Sequence, residues 1–182
     1  NLRTIEQSVM RIDRIVLDLM DTVSIEQGRL ALSLMPSDLG TLLHSVEKDF
    51  SSHPSSGNNQ LVLTIQPDLP EISADPERLI QVVTNLISNA ERHTRNGIIT
   101  ISLSGGPRWQ TICVSDTGSG MSEEMRKNAL KGYVSADKDY WRHGIGLYVC
   151  HQIITAHGGK IWIESEEGKG TRVFFSLPEE ES

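Results

Sequence analysis

A chain of 182 residues is long enough for one domain with a proper core plus an appendage. Its 37% hydrophobic and 23% charged residues are ordinary for a globular protein, and a net charge of −7 argues against a general nucleic-acid or acidic-membrane surface. No apolar run reaches the length of a bilayer span and no signal peptide is visible, so the segment is not expected to span a membrane.

In chain order, residues 1 to about 27 read as one helix. Leu2, Ile5, Val9, Ile12, Val16, Leu19 and Val23 alternate three and four apart, the rhythm of a helix packed lengthwise on others. Ile15 and Met20 widen the stripe, which favours a bundle. Such a helix is not stable alone, so partner helices are expected, from this protein or from a second chain. The abrupt helical start at Asn1 suggests a piece of something longer. Gly28 suits the helix end. Ala31 to Met35 is a candidate strand closed by Pro36. Ser37 or Asp38 then caps a second helix, with Leu39, Leu42, Leu43, Val46 and Phe50 on one side.

Ser51 to Asn59 reads as a loop, Leu61 to Ile65 as a strand, and Glu71 to Ala74 as a short one. Asp75 and Pro76 stand where a helix cap and first position belong. The helix they open carries an apolar face of Leu79, Val82, Val83, Leu86, Ile87 and Ala90. Gln81, Asn85, Asn89 and Arg92 form a second stripe on it. A hairpin follows: Ile98 to Leu103, a turn at Gly105-Gly106-Pro107, and Trp109 to Ser115. The loop Asp116-Thr-Gly-Ser-Gly-Met121 comes next, then a short helix from Glu123 to Leu130 capped by Ser122. Lys131 to His143 lacks periodicity and is long enough to suspect function. A helix from about Ile145 ends at His157-Gly158-Gly159, where the histidine could favour the negative helix end. The last hairpin pairs Lys160 to Glu164 with Thr171 to Leu177. Cys113 and Cys150 sit in apolar sequence and are expected as buried thiols. The order of elements predicts an α/β (α+β) two-layer sandwich, with a mixed, mostly antiparallel sheet and helices on one face.

Asparagine is a mediocre helix former, so two in mid-helix one turn apart, followed by an arginine, exceed what a solvated edge requires. Such a row suits a polyphosphate and its magnesium ion, although a polar edge of an amphipathic helix is the plainer reading. Asp116 ends a strand before glycines that admit close backbone approach. A carboxylate there accepts from the exocyclic amine of adenine and repels the carbonyl of guanine; a plain hairpin exit is the alternative. Gly144 and Gly146 open a helix whose first N–H groups form a natural anion site. No Walker loop and no full dinucleotide fingerprint occurs.

Together and in this order, five boxes resemble one family. They are Asn85-Leu-Ile-Ser-Asn-Ala90, Asp116-Thr-Gly-Ser-Gly-Met121, Gly144-Ile-Gly-Leu147, Ala156-His-Gly-Gly159 and Gly168-Lys-Gly-Thr171. They look like the catalytic ATP-binding domain of two-component sensor histidine kinases, whose superfamily includes type II topoisomerases and heat-shock chaperone ATPases. The resemblance implies the Bergerat-type fold over residues 31–182. Residues 1–30 look like the second helix of the family's dimerisation hairpin, with the acceptor helix absent.

By that resemblance Asn89 binds Mg2+ and Asn85 assists it, while Arg92 lies near the phosphates of ATP and His93 beside the nucleotide. Asp116 takes the adenine amine, with Thr171 behind it through water. Gly118, Gly120, Met121, Ile145 and Leu147 line the pocket. Residues 131–143 form a lid, and Gly144 and Gly146 present N–H groups to the triphosphate. Two departures stand out. Tyr133 is the nearest match to the lid's usual phenylalanine. Arg142-His143 replace an earlier Gly-x pair, which could stiffen the lid hinge or let Arg142 supply an extra phosphate contact.

In hydrolysing relatives a glutamate stands one turn before the magnesium-binding asparagine and activates water. Asn85 holds that place here, and an amide cannot abstract a proton. The resemblance therefore implies ATP held for transfer to a histidine on a separate helix and relay to the receiver domain of a response regulator. None of the six histidines here has the acceptor's sequence context. A hydrolysing ATPase, an anti-sigma-type serine kinase and a degenerate interaction module are the competing readings.

Overall fold

The computed structural model describes residues 30–52, 57–106, 108–131 and 145–179. The expected first helix and most of the expected lid, with Tyr133, Arg142 and Gly144, lie outside the described residues. In chain order the elements are β1 (Met35–Ser37), α1 (Leu39–Ser51), β2 (Gln60–Ile65), β3 (Ile72–Ala74), α2 (Pro76–His93) and β4 (Ile98–Gly106). Then come β5 (Trp109–Asp116), α3 (Glu123–Asn128), α4 (Ile145–Ala156), β6 (Lys160–Glu166) and β7 (Gly170–Pro178).

Five strands form one open sheet in the order β2-β4-β5-β7-β6. Only β2 and β4 run parallel, because the chain between them crosses over through α2; the other neighbours are antiparallel. Along β5, Gln110, Ile112, Val114 and Asp116 share one face by the two-residue period. Ile112 and Val114 meet Ile99, Ile101, Leu103, Val173 and Phe175 in a single core with the apolar sides of α1, α2 and α4. Leu79, Val82, Val83 and Ile87 of α2 are fully buried there, each stabilising by about 1.5–3 kcal/mol. The opposite face is more open and carries the stacked rings of Trp162 and Phe174, 5.1 Å apart. Cys113 and Cys150 are free and buried, as expected, and burial pushes the Cys113 thiol up to about 11.

The helix starts follow their caps. Asp38, not Ser37, caps α1 by accepting the N–H groups of Gly40 and Thr41. Asp75 accepts the N–H of Arg78 at 3.1 Å, with Pro76 in the first turn. The other Asp75 oxygen accepts the N–H of Ser33 at 2.8 Å. His157 does more than face a helix end: its Nε2 accepts the Asp75 N–H at 3.0 Å, while its Nδ1 lies 2.8 Å from the Ile153 carbonyl. A carbonyl only accepts, so Nδ1 carries the proton. That ring ties the end of α4 to the start of α2.

Two expectations shift. The strand expected over Ala31 to Met35 is instead Met35–Ser37, and Pro36 sits inside it. β1 and β3 form a separate two-stranded ribbon, where a proline is tolerated because no second neighbour needs its N–H. The strand from Ile98 also runs through both glycines, pairing Gly106 with Trp109. Arg108 takes the positive φ of 78° there.

Candidate functional site

The inner face of the sheet changes character over its last row. Asp116 of β5 stands opposite Thr171 of β7, and Thr171 opposite Ser165 of β6. One pleat inward the equivalent row is Val114, Val173 and Ile163. A polar row thus closes an apolar wall by strand register alone. Facing it is the C-terminal half of α2, which presents Leu86, Asn89, Ala90, Arg92 and His93. Between them lies a cavity of about 340 Å³, within the size range of small-ligand clefts. Met121 and Leu147 complete its apolar lining, and Met125 and Ala129 from the α3 region add one side.

The loop after Asp116 is fastened at several points. Gly118 donates its N–H to Asp116 Oδ1 at 2.8 Å. Ser119 donates to the His93 carbonyl at 3.2 Å and accepts the N–H of Gly168 at 2.7 Å. A Cβ at Gly118 would strike that His93 carbonyl. Gly120 has φ +68° and lies against the Glu166 carbonyl, so only glycine fits there. Met121 donates its N–H to Ser165 Oγ at 2.8 Å. The loop therefore rests between the end of α2 and the β6–β7 turn.

Burial raises the pKa of Asp116 above its ordinary 3.8, opposed by the N–H groups of Gly118 and Thr171, the Thr94 hydroxyl and His93. A half-buried carboxyl at the end of an apolar slot is poised to accept from a donor on a ligand.

Of the residues expected in the site, Asn89, Arg92, His93, Asp116, Gly120, Met121, Leu147 and Thr171 line the one cavity. Gly118 acts behind it, on the carboxylate. Asn85 is not in the lining. It is 5% exposed, a turn deeper on α2, and its Nδ2 is 3.8 Å from where a Cβ on Gly146 would stand. Asn85 and Gly146 thus lie near each other where α2 meets α4, beside the cavity and outside its lining. Ile145 begins α4. Val114, Val173, Met125 and Ala129 belong to the lining and were not singled out in the sequence. The two valines were accessible there, two residues from Asp116 and Thr171 on the same strand faces.

The donor set fits a magnesium nucleotide. The slot is apolar with one polar end, as a purine requires, and Arg92 and His93 stand at the helix end beside it. Among the described residues no cluster of three or more His, Cys, Asp or Glu could hold a metal. Mg2+ takes few protein ligands and fills its shell with phosphate oxygens and water, and Asn89 is the lining residue whose side-chain oxygen would hold it.

Fold and slot together define an α/β domain built around a small-ligand cleft at the end of a mixed sheet. The chain belongs to the histidine kinase-, DNA gyrase B- and HSP90-like ATPase family, whose model matches residues 74–181. Within that family it is homologous to sensor histidine kinases. It is 34% identical over 171 residues to the adaptive-response sensory kinase SasA of Synechococcus elongatus, covering 92% of this chain and 44% of that protein. It is also 34% identical over 169 residues to the sensor histidine kinase ZraS of Escherichia coli, covering 92% and 35%. This chain thus spans less than half the length of either relative. Among solved structures, full-length ShkA in complex with AMPPNP matches 97% of this chain and 37% of its own, with a TM-score of 0.81 and 25% identity. The nucleotide-free catalytic domain of the histidine kinase ThkA matches 81% and 97%, with a TM-score of 0.71 and 27% identity. No helix among the described residues is long and apolar enough to cross a membrane.

Proposed function

We propose that residues 31–182 are the ATP-binding catalytic module of a sensor histidine kinase, and that residues 1–30 are the second helix of its dimerisation hairpin. The observation that carries this reading is the juxtaposition of the Asp116–Thr171 row with Asn89 and Arg92 across one apolar slot. Asp116 accepts the adenine amine. Met121, Leu147, Val114 and Val173 enclose the ring and keep water from its faces. Asn89 takes Mg2+ and Arg92 balances the phosphate charge. Gly146, in the first turn of α4, leaves its backbone open to a phosphate oxygen. Bound ATP supplies an activated γ-phosphoryl group. Asn85, an amide buried where a base would be needed, leaves water unactivated, which favours transfer over hydrolysis.

The structure of ShkA with AMPPNP supports the adenine-nucleotide assignment. ThkA is also known in complex with the response regulator TrrA, which supports a receiver domain as downstream partner. The homology to sensor kinases supports dimerisation helices as the other partner and a cytoplasmic setting for this module. The test is incubation with γ-labelled ATP. The chain alone stays unlabelled, because none of its histidines is the acceptor, and an added dimerisation-helix polypeptide bearing the acceptor histidine takes label. Stable label on the lone chain, or steady phosphate release without transfer, overturns the assignment.

A further inference from the structure

Ser165 does not line the cavity, yet its hydroxyl joins two pieces of the cavity's wall. It lies at the end of β6, beside Thr171 in the polar row. Its Oγ accepts the N–H of Met121 at 2.8 Å and donates to the Gly170 carbonyl at 3.0 Å. It also lies 2.9 Å from the Thr171 hydroxyl.

A serine hydroxyl has one proton and two acceptor positions. The proton goes to Gly170, because a carbonyl has none to give. One acceptor position goes to the Met121 N–H. The contact with Thr171 is then made by the threonine's proton, which fills the second acceptor position. Thr171 is left with lone pairs only to turn toward the cavity it lines. Its neighbour in the row, Asp116, offers only lone pairs when ionised. The polar end of the slot is therefore an edge of acceptors, fixed from behind.

We propose that Ser165 is a positioning residue that holds the Thr171 hydroxyl as an acceptor and thereby makes the slot selective for 6-amino over 6-oxo purines. This deepens the proposed function and rests on it. A 6-amino purine brings N–H donors to such an edge, directly or through a water that donates to Thr171. A 6-oxo purine brings a carbonyl oxygen, which finds no donor and faces lone pairs. With alanine at 165 the Thr171 proton loses its acceptor and can swing into the cavity, where it serves a carbonyl. Selectivity falls even though no ligand contact is removed. A purely structural serine behaves differently: its loss weakens every nucleotide by the same factor.

The experiment titrates the 182-residue chain with Mg·ATP and Mg·ITP and reads the ratio of the two Kd values. Ser165→Ala is expected to lower the preference for ATP by about tenfold, the worth of one mispaired hydrogen bond. Ser165→Thr, which keeps the hydroxyl, restores it to within about twofold. Thr171→Val removes the acceptor itself and lowers the preference likewise, and adding Ser165→Ala to it changes nothing further. Without nucleotide, amide exchange at Met121 speeds up about tenfold in Ser165→Ala and not in Ser165→Thr. An unchanged ratio in Ser165→Ala overturns the proposal. Should that variant fail to fold, an unchanged ratio in Thr171→Val overturns it instead. If the unsubstituted chain binds ATP with a preference that neither variant alters, only the role of Ser165 falls; if it binds no adenine nucleotide, the nucleotide assignment falls with it.

Discussion

Replacing Asp116 with asparagine separates what this carboxylate does for a ligand from what it does to the fold. The change keeps size and shape, and the asparagine oxygen can still accept the Gly118 N–H that Asp116 Oδ1 holds at 2.8 Å. The charge at the end of the slot is lost, and with the oxygen kept toward Gly118 the other position becomes an NH2 group that donates where the carboxylate accepted. A hydrogen bond to a charged group contributes about 1.5–3 kcal/mol, so the affinity for ATP should fall roughly 10- to 150-fold. The free protein should respond in the opposite sense. Burial raises the Asp116 pKa above the ordinary 3.8, so between the unfolded and folded values the native state holds the extra proton. Stability then declines as pH rises through that window, and above it the charged form is a constant burden on the fold. Asp116→Asn should therefore unfold at a higher temperature than the parent at pH 7, and the difference should vanish below both values. Calorimetric titration with Mg·ATP gives the first number, and thermal melts across pH 3 to 7 give the second. An unchanged affinity, or a variant less stable at neutral pH with its gain only in acid, refutes the reasoning.

Asn89→Ala should abolish most of the magnesium dependence of nucleotide binding while leaving Mg-free binding close to the parent, as titrations with and without the metal will read. Gly120→Ala should destabilise by about 1–3 kcal/mol in urea unfolding, because a φ of +68° and the adjacent Glu166 carbonyl both resist a Cβ. Asp75→Ala should cost about 1–2 kcal/mol through the lost cap of α2. Burial raises the Asp75 pKa, but the N–H groups of Ser33 and Arg78 and the charge of the Arg78 guanidinium lower it by more, so the net is downward. That increment should be present above the ordinary carboxylate range and fade in stability curves as pH falls through the folded value.

Helices with their own punctuation were legible in the sequence. Asp75-Pro76 and the apolar spacing from Leu79 to Ala90 fix the start and the buried face of α2, since cap and stripe are local properties. Asp116, Gly120 and Thr171 were legible as members of boxes, and they converge on one cavity. Strand pairing was less accessible. β1 sits at Met35–Ser37 because it matches Ile72–Ala74 across the 34 residues that separate the two strands, as the contact between Ser37 and the Ala74 carbonyl reflects. No local pattern near Pro36 encodes that partner. Ser165 was passed over for a similar reason: its neighbours Met121 and Gly170 come from two different connections, and only register brings them to one hydroxyl.

The Ser33 N–H on Asp75 gives the domain a handle. Asp75 is the root of α2, a rod of 18 residues and so roughly 27 Å long, with Asn89 and Arg92 near its tip. A tug on the incoming polypeptide at Ser33 therefore arrives at the base of that rod without first deforming the sheet, and His157 passes part of the load to the neighbouring rod, α4.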